Sequence, residues 1–273
     1  RRDEALHDSG SRAQKRRLPD FTASAAQVRR VGTPSSQEPG RAPPAPKGAV
    51  DGRMLNGQIS RAAGSTRELL RLAAAHSSSL NYIHAANLWN KLGKQGDASE
   101  SSHREEMRRL LRRTVELVDS CDARGLSNIA HGLAKCRPVG VGSETGALFA
   151  AVAEAAVPRL REFEPQNLAN TVWAYATAGH AAPVLLEAIA KAAVPRLRKF
   201  TPQNLATTAW AFAAADHLAP ALFDSHVFVQ LCAGCSLTPK DLHQLHQWQL
   251  WREERGAAWP PLPPALAQRC RDA

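Results

Sequence analysis

Apolar residues recur along this chain in short helical stripes that come in pairs. Met107, Leu110, Leu111, Thr114, Leu117 and Val118 line one side of a helix, while Arg104, Arg108, Arg109, Arg112 and Arg113 crowd the other. Leu126, Ile129, Ala130, Leu133 and Ala134 form the stripe of a partner helix, which Cys136-Arg137-Pro138 ends. Upstream, Ser65 and Glu68 have capping-box spacing and open a helix carrying Leu69, Leu70 and Leu72. Ser77–Ser79 breaks it. Tyr82, Ile83, Ala86, Leu88, Trp89 and Leu92 then recur at helical spacing as far as Gly93, which reads as a stop. Residues 94–102 read as a polar loop.

Further along, the pairing becomes a copy. Ala155–Ala176 reads AAVPRLREFEPQNLANTVWAYA and Ala192–Ala213 reads AAVPRLRKFTPQNLATTAWAFA; 5 of the 22 positions differ and the offset is 37 residues. Self-similarity at such a period marks a solenoid. A fifth unit begins at Pro220, and its Thr238-Pro239-Lys240-Asp241-Leu242 matches Thr201-Pro202-Gln203-Asn204-Leu205. Aligning the Leu at the motif start gives His84, Leu126, Leu168, Leu205 and Leu242, spaced 42, 42, 37 and 37. Trp89, His131, Trp173, Trp210 and Gln247 then share one repeat position. The expected fold is all-α: an α-solenoid of about five tandem helix–turn–helix repeats of 37–42 residues.

Helix-start chemistry explains much of the copied motif. Thr201, Thr238 and Asp122 suit the N-cap, and Glu164 suits it less well. Pro165, Pro202 and Pro239 suit the first helical position, where no N–H is needed. Pro158 and Pro195 sit late in the preceding helix and are expected to kink or end it. The basic pieces that follow would project from the turns.

Composition refines the picture. Aromatic content is 5% and alanine is abundant, which suits closely packed helices. The net charge is +10, half of it in residues 1–50. Residues 1–60 read as a disordered, basic, Pro/Ser/Ala-rich tail, residues 61–255 as the repeat domain, and residues 256–273 as a Pro-rich segment with a short helix. The acid-poor tail, with its Lys15–Arg17 run, fits either an organelle transit segment or an ordinary basic linker. Five scattered cysteines do not suggest a disulfide framework.

The PQNLAN-x-x-WA-[YF]-A pattern resembles the octotricopeptide repeat of algal organelle RNA-binding proteins. It is also similar to repeats of the FAST-kinase-like proteins and to helical repeats of the RNA-editing substrate-binding complex type. The likeness is strong over Ala155–Ala213 and moderate at Leu242–Trp251. Leu242–Arg255 followed by Trp259-Pro-Pro-Leu-Pro-Pro is similar to the segment that precedes a RAP domain in those families. The resemblance implies a mitochondrial or plastid protein that binds single-stranded organellar RNA in its processing, stability or translation, alongside other ribonucleoprotein proteins. It implies no cofactor, membrane or small-molecule substrate.

Two sets of residues are candidates for the RNA contact. Arg159, Arg161, Arg196, Arg198 and Lys199 recur at fixed repeat positions and would form a cationic stripe. Gln166, Asn167, Asn170, Gln203, Asn204 and Thr207 could hydrogen-bond unstacked bases. The bland alternatives are a solvated face and satisfied helix ends. Trp173 and Trp210 could stack bases, but a repeated position in an Ala-rich helix reads first as core, and His131 likewise. Cys232-Ala-Gly-Cys235 with His243 and His246 departs from zinc-finger spacing, so no metal is expected. No phosphate-cradling loop, G-x-S-x-G or H-E-x-x-H occurs, and no enzymatic activity is expected. A protein-interaction scaffold without RNA contact remains the alternative, since fold does not set function.

Overall fold

Each repeat becomes two helices because each stripe can be buried only against a neighbour. The computed structural model describes residues 52–95, 103–256 and 260–273, all within one compact unit, 46–273. Among the described residues there are helices and no strand. One layer contains α1 (Gly52–Arg61), α3 (Tyr82–Gln95), α5 (Ala123–Cys136), α7 (Pro165–Ala178), α9 (Pro202–Ala214), α12 (Pro239–Glu254) and α13 (Pro264–Asp272). In it α1 packs on α3, and α3, α5, α7, α9, α12 and α13 follow in succession. The other layer contains α2 (Thr66–Ala75), α4 (Arg104–Leu117), α6 (Gly142–Ala156), α8 (Pro183–Ala193), and the short α10 (Pro220–Phe223) and α11 (His226–Ala233). The solenoid expectation therefore holds, with five helical pairs and a flanking helix at each end.

Residues 52–60 differ from the expected tail. Leu55 and Ile59 are fully buried at i, i+4 spacing, so α1 docks on α3 by a stripe two residues wide. Lys94 and Gln95, expected in the loop at 94–102, continue α3; the rest of that loop, the transit-or-linker reading of residues 1–50 and Trp259 lie outside the described residues.

Caps fix where each repeat's second helix starts. The side chains of Asp122, Thr201 and Thr238 accept from the N–H groups of Gly125, Asn204 and Asp241. Ahead of α3, Asn81 and His84 cap each other reciprocally, His84 N donating to Asn81 Oδ1 at 3.0 Å and Asn81 N to His84 Nδ1 at 3.2 Å. Aligned by caps, the repeats begin at Asn81, Asp122, Glu164, Thr201 and Thr238. This shifts the first repeat by one residue: Ala85, not His84, takes the Leu position, and Asn90, not Trp89, takes the Trp173 position. Trp89 is fully buried, and its Nε1 donates to Thr114 Oγ1 at 2.9 Å.

Pro158 and Pro195 behave as expected. The helices end at Ala156 and Ala193, and 3₁₀ turns over Val157–Glu162 and Val194–Lys199 lead into α7 and α9. Gly93 does not stop α3. It lies where α5 crosses, and a Cβ on it would sit 2.9 Å from the Gly132 Cα. A Cβ on Gly132 would overlap the Trp89 carbonyl, so the two glycines let α3 and α5 touch backbone to backbone.

The two kinds of glycine give opposite expectations. Gly132→Ala should destabilise the fold by about 2–3 kcal/mol, because overlap outweighs the ~1 kcal/mol gain in helix propensity. Gly146→Ala in α6, with open space around the added methyl, should stabilise by up to ~1 kcal/mol. Urea denaturation midpoints of the two variants check both signs.

Candidate nucleic-acid interface

The second helices of the repeats all run in the same direction, so their starts lie along one edge and the same cap offset falls on the same face in every copy. Residues two, six and nine places past the cap point within roughly 60° of one another on an α-helix. Six places past the cap stand Asn87, Asn128, Asn170 and Thr207, all half-buried, and Gln244, which is buried at 8% exposure. Nine places past it stand Asn90, His131, Trp173, Trp210 and Gln247. Two places past it stand Ile83, Arg124, Gln166, Gln203 and Lys240, all but Ile83 polar and all but Ile83 and Gln166/Gln203 charged. The buried sides, by contrast, carry Leu126, Leu168, Leu205 and Leu242 and then Leu92, Leu133, Tyr175 and Phe212.

Neighbouring copies meet along this face. Asn87 Nδ2 donates to Asn56 Oδ1 at 3.2 Å, which extends the polar row onto α1. The His131 and Trp173 ring centroids are 4.9 Å apart. Thr207 Oγ1 donates to Gln244 Oε1 at 3.4 Å. Trp173 and Trp210 are half-buried, packed against the core on one side and open on the other, so they are not the interior residues their repeated position suggests. Burial and nearby Lys135 lower the His131 pKa, which keeps the ring neutral at physiological pH.

The eleven residues expected to touch RNA divide into three groups. Gln166, Asn170, Gln203 and Thr207 share the face just described. Arg161, Arg198 and Lys199 are exposed at the edge where α7 and α9 begin. The remaining four are engaged within the fold. Asn167 Oδ1 accepts from the Glu164 N–H at 3.1 Å and its carbonyl accepts from Ser127, while Asn204 is buried at 8% exposure under the Thr201 cap.

Arg159 and Arg196 stitch repeats together instead of projecting. Arg159 Nη1 donates to the Cys121 carbonyl at 2.5 Å, and the rest of its guanidinium pairs with Glu162. Arg196 donates to the carbonyls of Ala192, Arg161, Phe163 and Leu160. Arg113 does the same one repeat earlier, donating to the Leu80 carbonyl at 2.9 Å. Leu80, Cys121 and Phe163 each immediately precede an N-cap, so in each of the first three repeats that backbone carbonyl is held by an arginine of the next.

Sequence reading passed over Asn56, Asn87, Asn90, Arg124, Asn128 and Gln244. Arg124, Asn128 and Gln244 align in either frame, and numbering the first copy from its cap, not from the Leu position, brings Asn87 and Asn90 into line. The edge is cationic on balance: Arg124, Arg161, Arg198, Lys199 and Lys240 stand there, with Asp122 capping, Glu162 paired and Glu164 exposed. Only α12 among these five helices carries an acid in its first turn.

Of Cys232, Cys235, His243 and His246, the first three make other contacts in the fold. Among the described residues no group of three or more His, Cys, Asp or Glu is placed to hold a metal. Cys235 Sγ donates to the Cys232 carbonyl at 3.4 Å, and the His243 ring meets the Gln247 amide. No described helix is long and apolar enough to cross a membrane.

A two-layer stack of helical pairs with one polar, ring-bearing face defines an α-solenoid repeat protein. Residues 65–221 match the family described as the Tbc2 translation factor, N-terminal domain. The match covers more than half of the chain, and the protein belongs to that family.

The stitch and the histidine can each be tested. Arg196→Ala should cost about 2–3 kcal/mol, Arg196→Lys should recover less than half of it, and Arg198→Ala should stay within ~0.5 kcal/mol. Because the folded pKa of His131 is depressed, its contribution is complete above the unfolded value of about 6.5 and is lost as pH falls through the folded one. His131→Gln should therefore show a smaller drop in denaturation midpoint between pH 7.5 and 5.5 than the parent. Equal drops would place the titration elsewhere.

Proposed function

We propose that this protein is a non-catalytic, single-stranded RNA-binding solenoid that acts in organellar translation by holding a transcript in position. The observation that carries the reading is the face six and nine residues past the caps. It presents carboxamides, a hydroxyl and half-exposed rings at successive repeats, in register. Rings such as Trp173 and Trp210 can stack bases of any identity, at about 1–3 kcal/mol per base. Carboxamides can pair with base edges that a single strand leaves open. Cations along the adjacent edge supply the phosphate contacts.

The translation factor family named above supports a role in translation, and the likeness to organellar repeat proteins supports a mitochondrial or plastid setting. Nothing in the chemistry calls for catalysis. Burial pushes the Cys121 thiol up to about 12, so it is protonated at neutral pH and no ready nucleophile.

The scaffold reading draws on a different edge. Where the second helices end, Val139, Val184 and Leu218 are exposed beside open depressions of about 370 and 360 Å³. An apolar edge of this kind suits protein contact.

Fluorescence anisotropy with labelled single-stranded RNA tests the RNA reading. Affinity should fall steeply with salt. The combined Arg124→Glu, Arg161→Glu, Arg198→Glu and Lys199→Glu variant should lose binding by about a hundredfold or more. Trp173→Ala and Trp210→Ala should each weaken binding about tenfold. If both tryptophan variants bind like the parent, the assignment of this face is wrong. If no RNA binds at all, the scaffold reading takes its place.

A further inference from the structure

The repeats do not use the open face alike. In the third and fourth repeats a tryptophan stands nine places past the cap, and Trp173 packs against His131 of the preceding repeat. In the first repeat that place is Asn90, and the ring beside it is Tyr82 at the start of α3. The result is an open depression of about 410 Å³ between α1, α3 and α5. Four carboxamides line it, Asn56, Asn87, Asn90 and Asn128, together with Tyr82, Ile83 and Ala86 of α3. All four are half-buried, so their stems are held while their amides reach solvent.

The chemistry of the lining is unusual for a surface hollow. A carboxamide carries a donor and an acceptor side by side, as the polar edge of a nucleobase does. The Asn87–Asn56 hydrogen bond uses Asn87 Nδ2 and Asn56 Oδ1. It thereby orients Asn87 Oδ1 and Asn56 Nδ2 as an adjacent acceptor and donor. Arg124, exposed in the first turn of α5, stands at the rim on the cationic edge. Asp122 stands beside it, its Oδ1 held at 2.6 Å by the Gly125 N–H. A phosphate is favoured at Arg124 and disfavoured at Asp122, where the carboxylate can accept from a ribose hydroxyl. A strand crossing the face is thus held with its base toward the carboxamides.

We propose that this depression is where the protein reads base identity: it takes one unstacked nucleobase of single-stranded RNA on its four carboxamides, with the neighbouring phosphate at Arg124. The inference rests on the RNA reading above and adds to it a division of labour. Repeats three and four grip any sequence by stacking, and the α1–α3–α5 end discriminates.

The intact chain and four labelled 12-nucleotide RNAs, r(A)12, r(C)12, r(U)12 and r(GU)6, test it by anisotropy. The parent should favour one of them by about tenfold, the scale of one well-paired carboxamide. Asn87→Ala with Asn128→Ala should bring the favoured RNA down to the level of the others and leave those within about twofold. Trp173→Ala should weaken all four alike, and Arg124→Gln should weaken all four and flatten the salt dependence. Melting followed by circular dichroism checks that each variant folds. A preference that survives the double asparagine substitution overturns the proposal, as does an equal loss on all four RNAs. Equal binding of all four by the parent overturns it and leaves RNA binding standing. Failure to bind any of them removes the RNA reading as well.

Discussion

The register of this solenoid depends on a carbonyl group. The residue before each N-cap leaves its C=O outside the helix that follows, and a buried carbonyl without a partner costs about 1–3 kcal/mol. At Leu80, Cys121 and Phe163 an arginine from the next repeat takes that carbonyl. Three consequences follow from one contact. The orphaned acceptor is satisfied, the next repeat is pinned at one height, and the following helix starts at a fixed place. Apolar packing alone would not achieve this, since alanine-rich helices can slide past one another at little cost.

Because height and start are fixed, side chains at a given cap offset align across repeats. The open face exists as a row only for that reason. A one-residue slip in a single helix rotates its residues by 100° and would carry Asn128 or Asn170 out of line. The stitching arginines are therefore part of how the face is built, although they do not belong to it. Their recurrence reflects this: the backbone carbonyl before the cap is the same in the first three repeats, so its partner there is the same.

The architecture was legible in the sequence because it is written in repeated local chemistry. The 37-residue copy, the Thr-Pro helix starts at 201 and 238, and the Pro158 and Pro195 breaks each carry a local physical meaning, and each appears in the structure. The site was half legible. Gln166, Asn170, Gln203 and Thr207 stood out as polar positions within the copied motif. Arg159 and Arg196 stood out for recurrence alone, and recurrence cannot separate a phosphate contact from a carbonyl contact. That difference depends on which way a side chain turns, which is set by a backbone 36 or so residues away. The first repeat was misread by one place because alignment rested on apolar residues, and Trp89 looked like its obvious landmark. His84, a poor candidate for a leucine position, was the sign that the cap should have set the frame. Helix α1 was missed because Leu55 and Ile59 mean little until α3 is there to receive them.

The most similar copies are therefore the least informative about recognition. Repeats three and four agree because they share caps, breaks, stitches and a stacking ring, none of which distinguishes one base from another. Discrimination requires a place where the pattern lapses and a donor–acceptor pair is exposed. The first repeat supplies one: its ring position is Asn90, its neighbour is a flanking helix that contributes Asn56, and its cap-plus-six residue is linked to that helix by a hydrogen bond. Divergence of this kind would be read as decay if the solenoid were judged only as a scaffold. The packing argues otherwise. Trp89 fills the core one residue away, fully buried and hydrogen-bonded to Thr114, and the Gly93–Gly132 crossing brings α3 and α5 into backbone contact. A degenerate repeat would loosen its neighbours, whereas this one is packed closely while Asn90 stands where later repeats carry a ring. Tight packing beneath an open polar hollow is the arrangement that holds carboxamides still enough to select.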